Sequence, residues 1–369
     1  ALTAINRPGP GGAFCLWGVT GSGKTEVYLG ALQAAVAAGR GGIVLVPEIA
    51  LTPQTVRRFR ERFDSVAVLH SRLTDAERRG EWEAIRTGKK RVVVGARSAV
   101  FAPVADLGVI VVDEEHEPSF KQGSSPRYHA RDVALERARR TGAACVLGSA
   151  TPSLETFALA QTGELELLRL PDRVGGGVLP DVRLVDMRSE ADDRSWRILA
   201  PSVMEALAGT IERGEQALLF LNRRGFAPVL YCRACGRTLR CSECDSSMTL
   251  HSRSHRLLCH LCNLDRAVPE GCPSCDHPAL DRVGVGVERV EQAVRRSFPK
   301  ARVARMDTDT MVGKDAHEEV LGAFGEGRLD VLVGTQMIAK GLDFPNVTLV
   351  AVVDADVALY MPDFRAAER

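Results

Sequence analysis

The sequence has no long apolar run: nowhere in its 369 residues do about 18 apolar residues follow one another, the length that a membrane-spanning helix needs. It also has no basic-then-apolar leader at its start. These two absences exclude a membrane protein and predict a cytoplasmic one. The net charge is only +1, so the chain has no global basic field. Any contact with nucleic acid must therefore come from local basic clusters.

Cysteine is unevenly distributed. Cys15 and Cys145 stand alone in apolar runs, as inert buried thiols do. The other cysteines form four CxxC pairs and are Cys232, Cys235, Cys241, Cys244, Cys259, Cys262, Cys272 and Cys275. This spacing indicates metal sites in an intracellular protein, not a disulfide framework. The thiolates suffice for two Cys₄ sites and favour zinc. Iron–sulfur clusters use the same ligands, and spacing alone does not decide which pairs share an ion.

Short apolar runs alternate with amphipathic stretches in two parts of the chain. The runs are continuous in Val, Ile and Leu, as in parallel sheets that are covered on both faces. This pattern predicts doubly wound α/β lobes. A stretch rich in glycine, proline and charge suits a linker between them. We predict a first, ATP-binding lobe (1–170), a linker (171–196), a second lobe (197–231 and 279–369) and a zinc-binding module inserted in it (232–278).

The motif GVTGSGKT follows one of these runs and precedes a helix-like segment, which is the context of a phosphate-binding loop. Its small residues let backbone N–H groups approach a phosphate closely. Lys24 is expected to reach the β- and γ-phosphates of ATP, and the Thr25 hydroxyl to coordinate Mg²⁺. The residues that we assign to nucleotide binding here are Gly18, Gly21, Ser22, Gly23, Lys24 and Thr25.

A second run ends in the carboxylates of the DEEH motif. Asp113 suits a Mg²⁺ ligand, and Glu114 suits the group that orients or deprotonates the attacking water. Lys24, Asp113 and Glu114 are therefore the predicted catalytic residues. A third run ends in GSATPS, residues 148–153, whose hydroxyls can bond to those carboxylates. The order GKT, DEEH, SAT is that of superfamily 2 helicases.

The whole sequence closely resembles the PriA family, the replication-restart DNA helicases of superfamily 2. The segments that carry the resemblance are GVTGSGKTEVYL, VPEIALTPQ, DEEHEPSFKQ, GSATPSLET, FLNRRG and GTQMIAKGLDFPNVTLV, together with the cysteine positions. The resemblance implies two RecA-like P-loop lobes with a cysteine-rich two-zinc insertion in the second. It also implies an enzyme that uses ATP and Mg²⁺ to move 3′→5′ along DNA at stalled or repaired forks and that helps to assemble the primosome.

The partners implied by this resemblance are single-stranded and forked DNA, primosome and helicase-loading proteins, and single-strand binding protein, with the protein a monomer. Positions that resemble DNA contacts or helicase motifs of the family are Pro47–Gln54, Arg97, Phe120, Lys121, Tyr128, Arg131, Asn222–Gly225, Thr335, Gln336 and Lys340. The aromatic and basic members suit single-strand binding, but each of them is equally compatible with a core or solvated side chain. Leu342–Asp343 departs from the family pattern, which often has histidine there.

The resemblance also implies which cysteines share a metal ion. The outer set is Cys232, Cys235, Cys272 and Cys275. The inner set is Cys241, Cys244, Cys259 and Cys262. Sites filled by four thiolates have no open position, so both zinc ions are expected to be structural. The arginines between the pairs form either a basic surface for DNA or a partner protein, or a merely solvated face.

Three alternatives stay open: a duplex translocase, an RNA helicase of the same fold, or a zinc-bearing scaffold with an idle motor. Intact Lys24, Thr25, Asp113 and Glu114 argue against an idle motor. The adenine-reading glutamine motif and the arginine-finger segment of the family are expected outside these 369 residues, with the second lobe truncated. We therefore expect this chain alone to bind nucleotide and to hydrolyse it weakly, because losing an arginine finger costs about 10³–10⁵ in rate.

Overall fold

The computed structural model describes residues 1–7, 11–48, 51, 53–71, 73–176, 180–187, 198–221, 229–232, 234–251, 254–278, 280–282, 286–307, 316–335, 338, 344–360 and 365. The chain divides into two compact units, Ala1–Asp181 and Val182–Arg369. Among the helices formed by these residues, none is both long and apolar enough to span a bilayer.

The first unit is an α/β structure. Its strands are β1 (Ala13–Gly18), β2 (Gly41–Leu45), β3 (Val66–Leu69), β4 (Val92–Gly95), β5 (Leu107–Asp113), β6 (Ala144–Ser149) and β7 (Glu166–Leu170). Its helices are α1 (Leu2–Ile5), α2 (Lys24–Ala37), α3 (Pro53–Arg60), α4 (Asp75–Arg86), α5 (Ala130–Thr141) and α6 (Leu154–Gln161). Short 3₁₀ turns lie at Arg97–Phe101, Pro118–Phe120 and Val174–Gly176. The strands form one parallel sheet in the order β3-β4-β2-β5-β6-β1-β7.

Both faces of this sheet are covered. Val111 of β5 belongs to a buried cluster that contains Leu32 of α2. Its neighbour Ile110 points to the opposite face and belongs to a second cluster, which contains Ala134 of α5. Because successive residues of a strand are buried on opposite sides, the strands are continuous in Val, Ile and Leu, as the sequence analysis inferred.

The strand order brings three carboxyl ends together. β6 lies between β5 and β1. Asp113, the last residue of β5, pairs with Gly148 of β6, and Trp17 of β1 pairs with Ser149. Because parallel strands point the same way, the residues that follow β1, β5 and β6 meet at one edge of the sheet.

The second unit combines a parallel sheet with an insertion. Its described strands are β8 (Gln216–Leu221), β9 (Leu230–Cys232), β10 (Thr249–His251), β11 (Arg256–Leu258), β12 (Asp265–Ala267), β13 (Leu280–Arg282), β14 (Val303–Met306), β15 (Val331–Gly334) and β16 (Val347–Val353). Its helices are α7 (Pro201–Glu212), α8 (Val287–Ser297) and α9 (Ala316–Gly325), and a 3₁₀ segment covers Ala355–Tyr360. The parallel sheet has the order β14-β15-β8-β16.

The insertion begins after β8, the first strand of this sheet, and ends before α8. It contains an antiparallel sheet, β10-β11-β12, and an antiparallel pair, β9 and β13, at its two ends. The predicted fold class, two α/β lobes with a cysteine-rich insertion in the second, is confirmed. The predicted domain boundaries stay predictions, and residues 177–179 and 188–196 of the predicted linker lie outside the described residues.

Candidate nucleotide site and cysteine-rich module

The loop between β1 and α2 holds the predicted phosphate-binding residues. Gly21 and Gly23 have left-handed backbone conformations, with φ of 78° and 83°, which glycine adopts at no steric cost. Gly23 is the N-cap of α2, so the first N–H groups of that helix have no helical acceptor. A Cβ on Gly18 would lie 2.5 Å from the Ser22 hydroxyl. The path of the loop therefore requires glycine at these positions.

The side chains of this loop fit an anionic ligand. The Ser22 hydroxyl is buried and has no hydrogen-bond partner in the part of the chain that the structure describes. The Lys24 ammonium donates to the Gly18 carbonyl at 2.8 Å and to the Val19 carbonyl at 3.4 Å. Thr25, in the first turn of α2, is half-buried. An unpaired buried hydroxyl, free helix amides and an adjacent cation together match a phosphate group.

Asp113 ends β5 beside this loop. The Tyr28 hydroxyl, on α2, donates to Asp113 Oδ1 at 2.8 Å. The Asp113 side chain keeps some exposure, but the loss of surrounding water, followed by the charge of Glu114, raises its pKa to about 6. The Tyr28 bond and the charge of Lys24 act in the opposite direction. Burial, followed by the charge of Asp113, raises the pKa of Tyr28 well above its usual range, so the phenol remains a donor.

Glu114 and His116 connect the DEEH motif to the end of β6. Glu114 has a left-handed backbone, with φ of 50°, a conformation that costs a non-glycine residue roughly 1–2 kcal/mol and that is concentrated at functional sites. His116 Nδ1 lies 2.8 Å from the Ser149 hydroxyl and 3.6 Å from a Glu114 carboxylate oxygen. The Ser149 hydroxyl also accepts from the Thr151 N–H at 2.9 Å. The DEEH and SAT motifs therefore contact each other through His116.

A buried network behind these residues escaped the sequence analysis. The Glu115 carboxylate is fully buried and accepts from the Ser153 N–H and the Thr156 hydroxyl, both at 2.7 Å. Arg131, at the start of α5, donates to the Ser153 hydroxyl at 2.8 Å and lies 3.5 Å from Glu115. The network joins β5, α5 and α6. Its only sequence signal is a third carboxylate directly after an apolar strand.

Two residues interpreted as single-strand contacts lie inside the fold, and for them that interpretation is wrong. Phe120 is fully buried in the cluster that contains α5. Arg131 is buried in the network with Glu115. A buried carboxylate requires a cationic partner, and Arg131 supplies it.

The other predicted contacts of this segment do reach the surface. The Tyr128 ring meets the exposed Phe101 ring edge to face, with centroids 4.9 Å apart. Arg97 donates to the Ser119 and Lys121 carbonyls at 3.0 and 2.9 Å. A groove of about 540 Å³ adjoins them, and its basic lining residues are Lys121, Arg127, Arg137 and Arg140. DNA binding by this surface stays a prediction.

Several predicted positions lie outside the described residues. They are Ile49, Ala50 and Thr52 within Pro47–Gln54, the whole of Asn222–Gly225, Gln336, Lys340 and Leu342–Asp343. Thr335 is described and lies half-buried directly after β15.

The module cysteines form two sets of four, and within each set all the sulfur atoms lie within 4.8 Å of one another. One set is Cys232, Cys235, Cys272 and Cys275, and the other is Cys241, Cys244, Cys259 and Cys262. These are the two sets that the resemblance implied. Neighbouring sulfurs are 3.5–3.7 Å apart, whereas four sulfurs about 2.3 Å from one tetrahedral ion lie about 3.8 Å apart. The donor set and its spacing fit zinc.

All four CxxC pairs have the same backbone geometry. The residue after the second cysteine donates its N–H to the carbonyl of the first cysteine, at 2.8–3.0 Å. That residue is left-handed in every pair, with φ between 52° and 72°; the four are Gly236, Asp245, Asn263 and Asp276. Glycine, asparagine and aspartate are the residues that adopt this conformation most readily. We call each CxxC pair with the residue that follows it a knuckle. The residue types after the pairs indicate four knuckles of the same geometry, which the cysteine spacing alone does not indicate.

Hydrogen bonds to sulfur lower the pKa of two of these thiols. The Ser246 hydroxyl lies 3.3 Å from Cys259 Sγ and is the main cause that lowers the pKa of that thiol. The Ser274 N–H donates to Cys272 Sγ at 3.4 Å and lowers its pKa in the same way. Donors aimed at sulfur stabilise the charged form that ligates metal.

Comparisons with known families and proteins match nearly the whole chain. A DEAD/DEAH box helicase family model matches residues 3–159, and a Helicase conserved C-terminal domain model matches residues 283–364. The Replication restart protein PriA of Bacillus subtilis is 53% identical over 357 residues, 96% of this chain and 44% of the relative. The same-named protein of Treponema pallidum is 45% identical over 371 residues, 100% of this chain and 55% of the relative. The chain thus spans about half the length of these curated relatives.

Solved structures support the fold alone. A crystal structure of the DUF1998 helicase MrfA bound to DNA and AMPPNP aligns with a TM-score of 0.54 at 13% identity, over 94% of this chain and 43% of that one. The DEAD-box helicase Mss116 bound to ssRNA and UDP-BeF aligns with a TM-score of 0.54 at 13% identity, over 95% and 62%. The predicted RecA-like architecture is therefore confirmed. With its helicase domains, its cysteine sets and its identity to PriA proteins over nearly its whole length, the chain belongs to the PriA-type superfamily 2 helicases.

Proposed function

We propose that this chain is the ATP-driven motor of a DNA helicase that moves 3′→5′ at stalled or repaired replication forks, restarts replication and helps to assemble the primosome in the cytoplasm. The observation that carries the proposal is the meeting of three motifs at the carboxyl edge of one sheet. Lys24 follows β1, Asp113 ends β5 and Ser149 ends β6. The restart role is supported by the similarity to Replication restart protein PriA of several bacteria.

In this proposal the loop after β1 binds the phosphates of ATP. The amides around Gly21 and Gly23 surround a phosphate, the Ser22 hydroxyl gains the acceptor that it lacks, and Lys24 exchanges its carbonyl partners for phosphate oxygens. Thr25 and Asp113 are the residues that would hold Mg²⁺. The cation, when bound, neutralises phosphate charge.

Glu114 is the proposed group that orients the attacking water and accepts its proton. Its strained backbone places the carboxylate 3.6 Å from His116. His116 in turn contacts Ser149 at 2.8 Å. A movement of the Glu114 carboxylate would therefore reach Ser149 of the SAT motif through the His116 side chain.

Each cysteine set is proposed to hold one zinc ion with a structural role. Four thiolates complete a tetrahedral shell, which leaves no position for a substrate or a catalytic water. The zinc ions would fix the positions of the knuckles and of the arginines between them.

The proposed partners are single-stranded and forked DNA, primosome and helicase-loading proteins and single-strand binding protein, with the protein itself a monomer. The surface of Phe101, Tyr128 and Lys121 combines an exposed aromatic ring with a positive charge. Stacking and backbone attraction of this kind tolerate any base sequence.

The test is ATP hydrolysis with no nucleic acid, with forked DNA and with forked RNA, by this chain and by the natural protein that contains it. Lys24→Ala removes the phosphate-binding cation, and Lys89→Ala removes an exposed lysine in the loop between α4 and β4 as the matched control. In the natural protein we expect DNA-stimulated turnover that Lys24→Ala abolishes and Lys89→Ala preserves, and in this chain alone we expect weak turnover. Strand displacement from substrates with 3′ or 5′ tails then gives the polarity.

Two results would overturn the proposal. Stimulation by RNA instead of DNA would indicate an RNA helicase. If the natural protein shows no turnover while its lobes are folded and its metal is bound, the motor is idle and the protein is a zinc-bearing scaffold.

A further inference from the structure

The Tyr28 hydroxyl, in the nucleotide region, has one described hydrogen-bond partner and no part in the proposed chemistry. Tyr28 lies on α2, one helical turn after Lys24, and its side chain is 2% exposed. Its ring belongs to the apolar cluster under α2. A phenylalanine would fill this cluster equally well, so packing does not account for the hydroxyl. The hydroxyl donates to Asp113 Oδ1 at 2.8 Å.

Gly148 makes room for this contact. It pairs in register with Asp113 across β5 and β6. A Cβ on Gly148 would lie 1.8 Å from the Tyr28 hydroxyl oxygen and 2.8 Å from the ring carbon that carries it. Gly148 has no left-handed backbone to explain its identity. The phenol therefore occupies the space that any larger residue at position 148 would need.

We propose that Tyr28 is a positioning residue that fixes the Asp113 carboxylate for a divalent cation, and that Gly148 is required because the phenol lies over it. We refer to Tyr28, Asp113 and Gly148 as the tyrosine clamp. The inference rests on the proposed use of ATP and Mg²⁺ by this site. The clamp connects the helix that begins with Lys24 and Thr25 to the strand that ends with Asp113. It thereby holds in register the two residues assigned to Mg²⁺.

The physical argument is one of preorganisation. A free carboxylate at the end of a strand turns about its side-chain torsions, and this freedom is lost when a metal binds. A hydrogen bond from a rigid, buried phenol removes most of the freedom beforehand. Second-layer partners of this kind typically change metal affinity by 10–100-fold when they are removed.

The experiment measures binding of a fluorescent methylanthraniloyl-ADP to the chain, in EDTA and at rising MgCl₂. For Tyr28→Phe we expect about a 10–100-fold higher Mg²⁺ midpoint, with unchanged affinity in EDTA and an unchanged melting temperature. Tyr231→Phe, a hydroxyl deletion in the other unit, is the matched control and should leave the midpoint where it is. Parallel losses of affinity in EDTA and in Mg²⁺, with a lower melting temperature, would show a merely structural role and overturn the proposal.

Gly148→Ala tests the same contact from the other side. In the natural background the new methyl group displaces the phenol, so we expect the Mg²⁺ midpoint to rise at least as far as in Tyr28→Phe. In the Tyr28→Phe background the hydrogen bond to Asp113 is already absent, so the second substitution should raise the Mg²⁺ midpoint much less, although the ring carbon 2.8 Å from the new Cβ must still shift. Effects that multiply independently would contradict the clamp.

Failure of the inference and failure of the proposed function give different results. If the natural chain binds the nucleotide with a clear Mg²⁺ response and Tyr28→Phe has the same midpoint, the clamp is wrong and the motor stands. If the natural chain shows no nucleotide binding or no Mg²⁺ response, the proposed site itself fails and the clamp fails with it.

Discussion

The nucleotide region of the first unit and the cysteine module of the second are both identified by short motifs, but they are held in place by different forces. The nucleotide loop is carried by a seven-stranded sheet between two clusters of 21 buried residues each. Among the described residues, the buried cluster of the module has seven members, and two of them, Cys241 and Cys259, belong to a metal-binding set. One site is supported by apolar burial, and the other has little apolar area to bury.

This difference shows that the interactions that give a site its shape need not be those that keep it folded. In the nucleotide region, hydrogen bonds such as those of Tyr28 and Glu115 fix the side chains before any ligand arrives. In the module, backbone hydrogen bonds shape each knuckle, and pairs of three-residue strands, β9 with β13 and β10 with β11, run beside the two knuckles of each sulfur set. A core of this size is insufficient for a stable fold without a metal or other cross-link. We therefore infer that the metal ion joins the knuckles.

The largest expected effect is that of metal removal. Structural zinc contributes about 10–16 kcal/mol in zinc-finger peptides, more than the whole stability of most domains. Treatment with a strong chelator should therefore unfold the module and leave the first unit folded. Hydrogen exchange should show lost protection at β10 and β11 and retained protection at β1, β5 and β6.

Elemental analysis of the protein before the chelator is added should give two zinc ions per chain. Cys259→Ser should remove one of them, whereas Cys145→Ser, at a buried cysteine outside both sets, should remove none. If the amides of the module stay protected after complete metal loss, the contrast between the two sites is contradicted, because the seven-residue cluster is then sufficient to keep the module folded. Iron in place of zinc would identify the other thiolate-bound cofactor that the cysteine spacing allows.

The next largest effect is expected from the buried network of the first unit. Glu115→Ala leaves Arg131, with 11% of its side chain exposed, beside a cavity in place of a carboxylate. Breaking a buried ion pair by removing one partner costs roughly 3–5 kcal/mol, and we expect the lower end of this range because Arg131 keeps the exposed Asp132 carboxylate at 3.2 Å. The free energy of unfolding of the first unit should fall by this amount in urea denaturation, and metal content should not change.

Glu61→Ala, at an exposed carboxylate whose ion-pair partner among the described residues is Arg57, is the matched control and should have little effect. The double variant Glu115→Ala and Arg131→Ala should lose less stability than the sum of the two single variants. Equal costs for Glu115→Ala and Glu61→Ala would mean that the network does not support the site.

The parts of the site that follow from local sequence were predictable, and the parts that depend on long-range pairing were not. The glycines of the phosphate loop and the carboxylates after β5 follow from residue types over a few positions. The bonds of Tyr28 to Asp113 and of Glu115 to Arg131 join residues that only the three-dimensional fold brings together. A motif specifies which groups are present, but the packing of α2 and α5 against the sheet decides which way they point.

Phe120 shows the same limit of local sequence, here for a contact that was predicted and is not formed at the surface. Aromatic and basic residues in one segment predicted a surface for nucleic acid, but the short turn Pro118–Phe120 directs this ring into the core. The nearby Tyr128 stays at the surface with Phe101. The composition of a segment therefore does not show which of its side chains reach the surface, because one short turn of backbone is enough to bury the Phe120 ring while the Tyr128 ring stays at the surface.

The smallest expected effect is that of replacing a left-handed residue by alanine, and it can be measured once in each unit. Asn263 follows a cysteine pair of the module with φ of 62°, and Gly142 ends α5 with φ of 64°. Asn263 is exposed, and an added Cβ at Gly142 would meet no atom within 4 Å. Gly142→Ala therefore adds mainly the cost of a left-handed conformation, about 1 kcal/mol. Asn263 already carries a Cβ, so Asn263→Ala loses only the greater tolerance of asparagine for this conformation, up to about 1 kcal/mol.

The two units should express this backbone cost in different measurements. Gly142→Ala should lower the free energy of unfolding of the first unit by about 1 kcal/mol and leave zinc affinity unchanged. In Asn263→Ala the penalty should appear in zinc affinity, measured by competition with a chelator, as a reduction of up to about fivefold, because 1.4 kcal/mol corresponds to a factor of ten. Asn263→Gly, which removes the steric penalty, should bind zinc at least as tightly as the natural chain. If Asn263→Ala instead leaves zinc affinity intact and lowers the stability of the metal-free module, that module has a fold of its own. The contrast between a site held by burial and a site held by its ligand would then not apply to this protein.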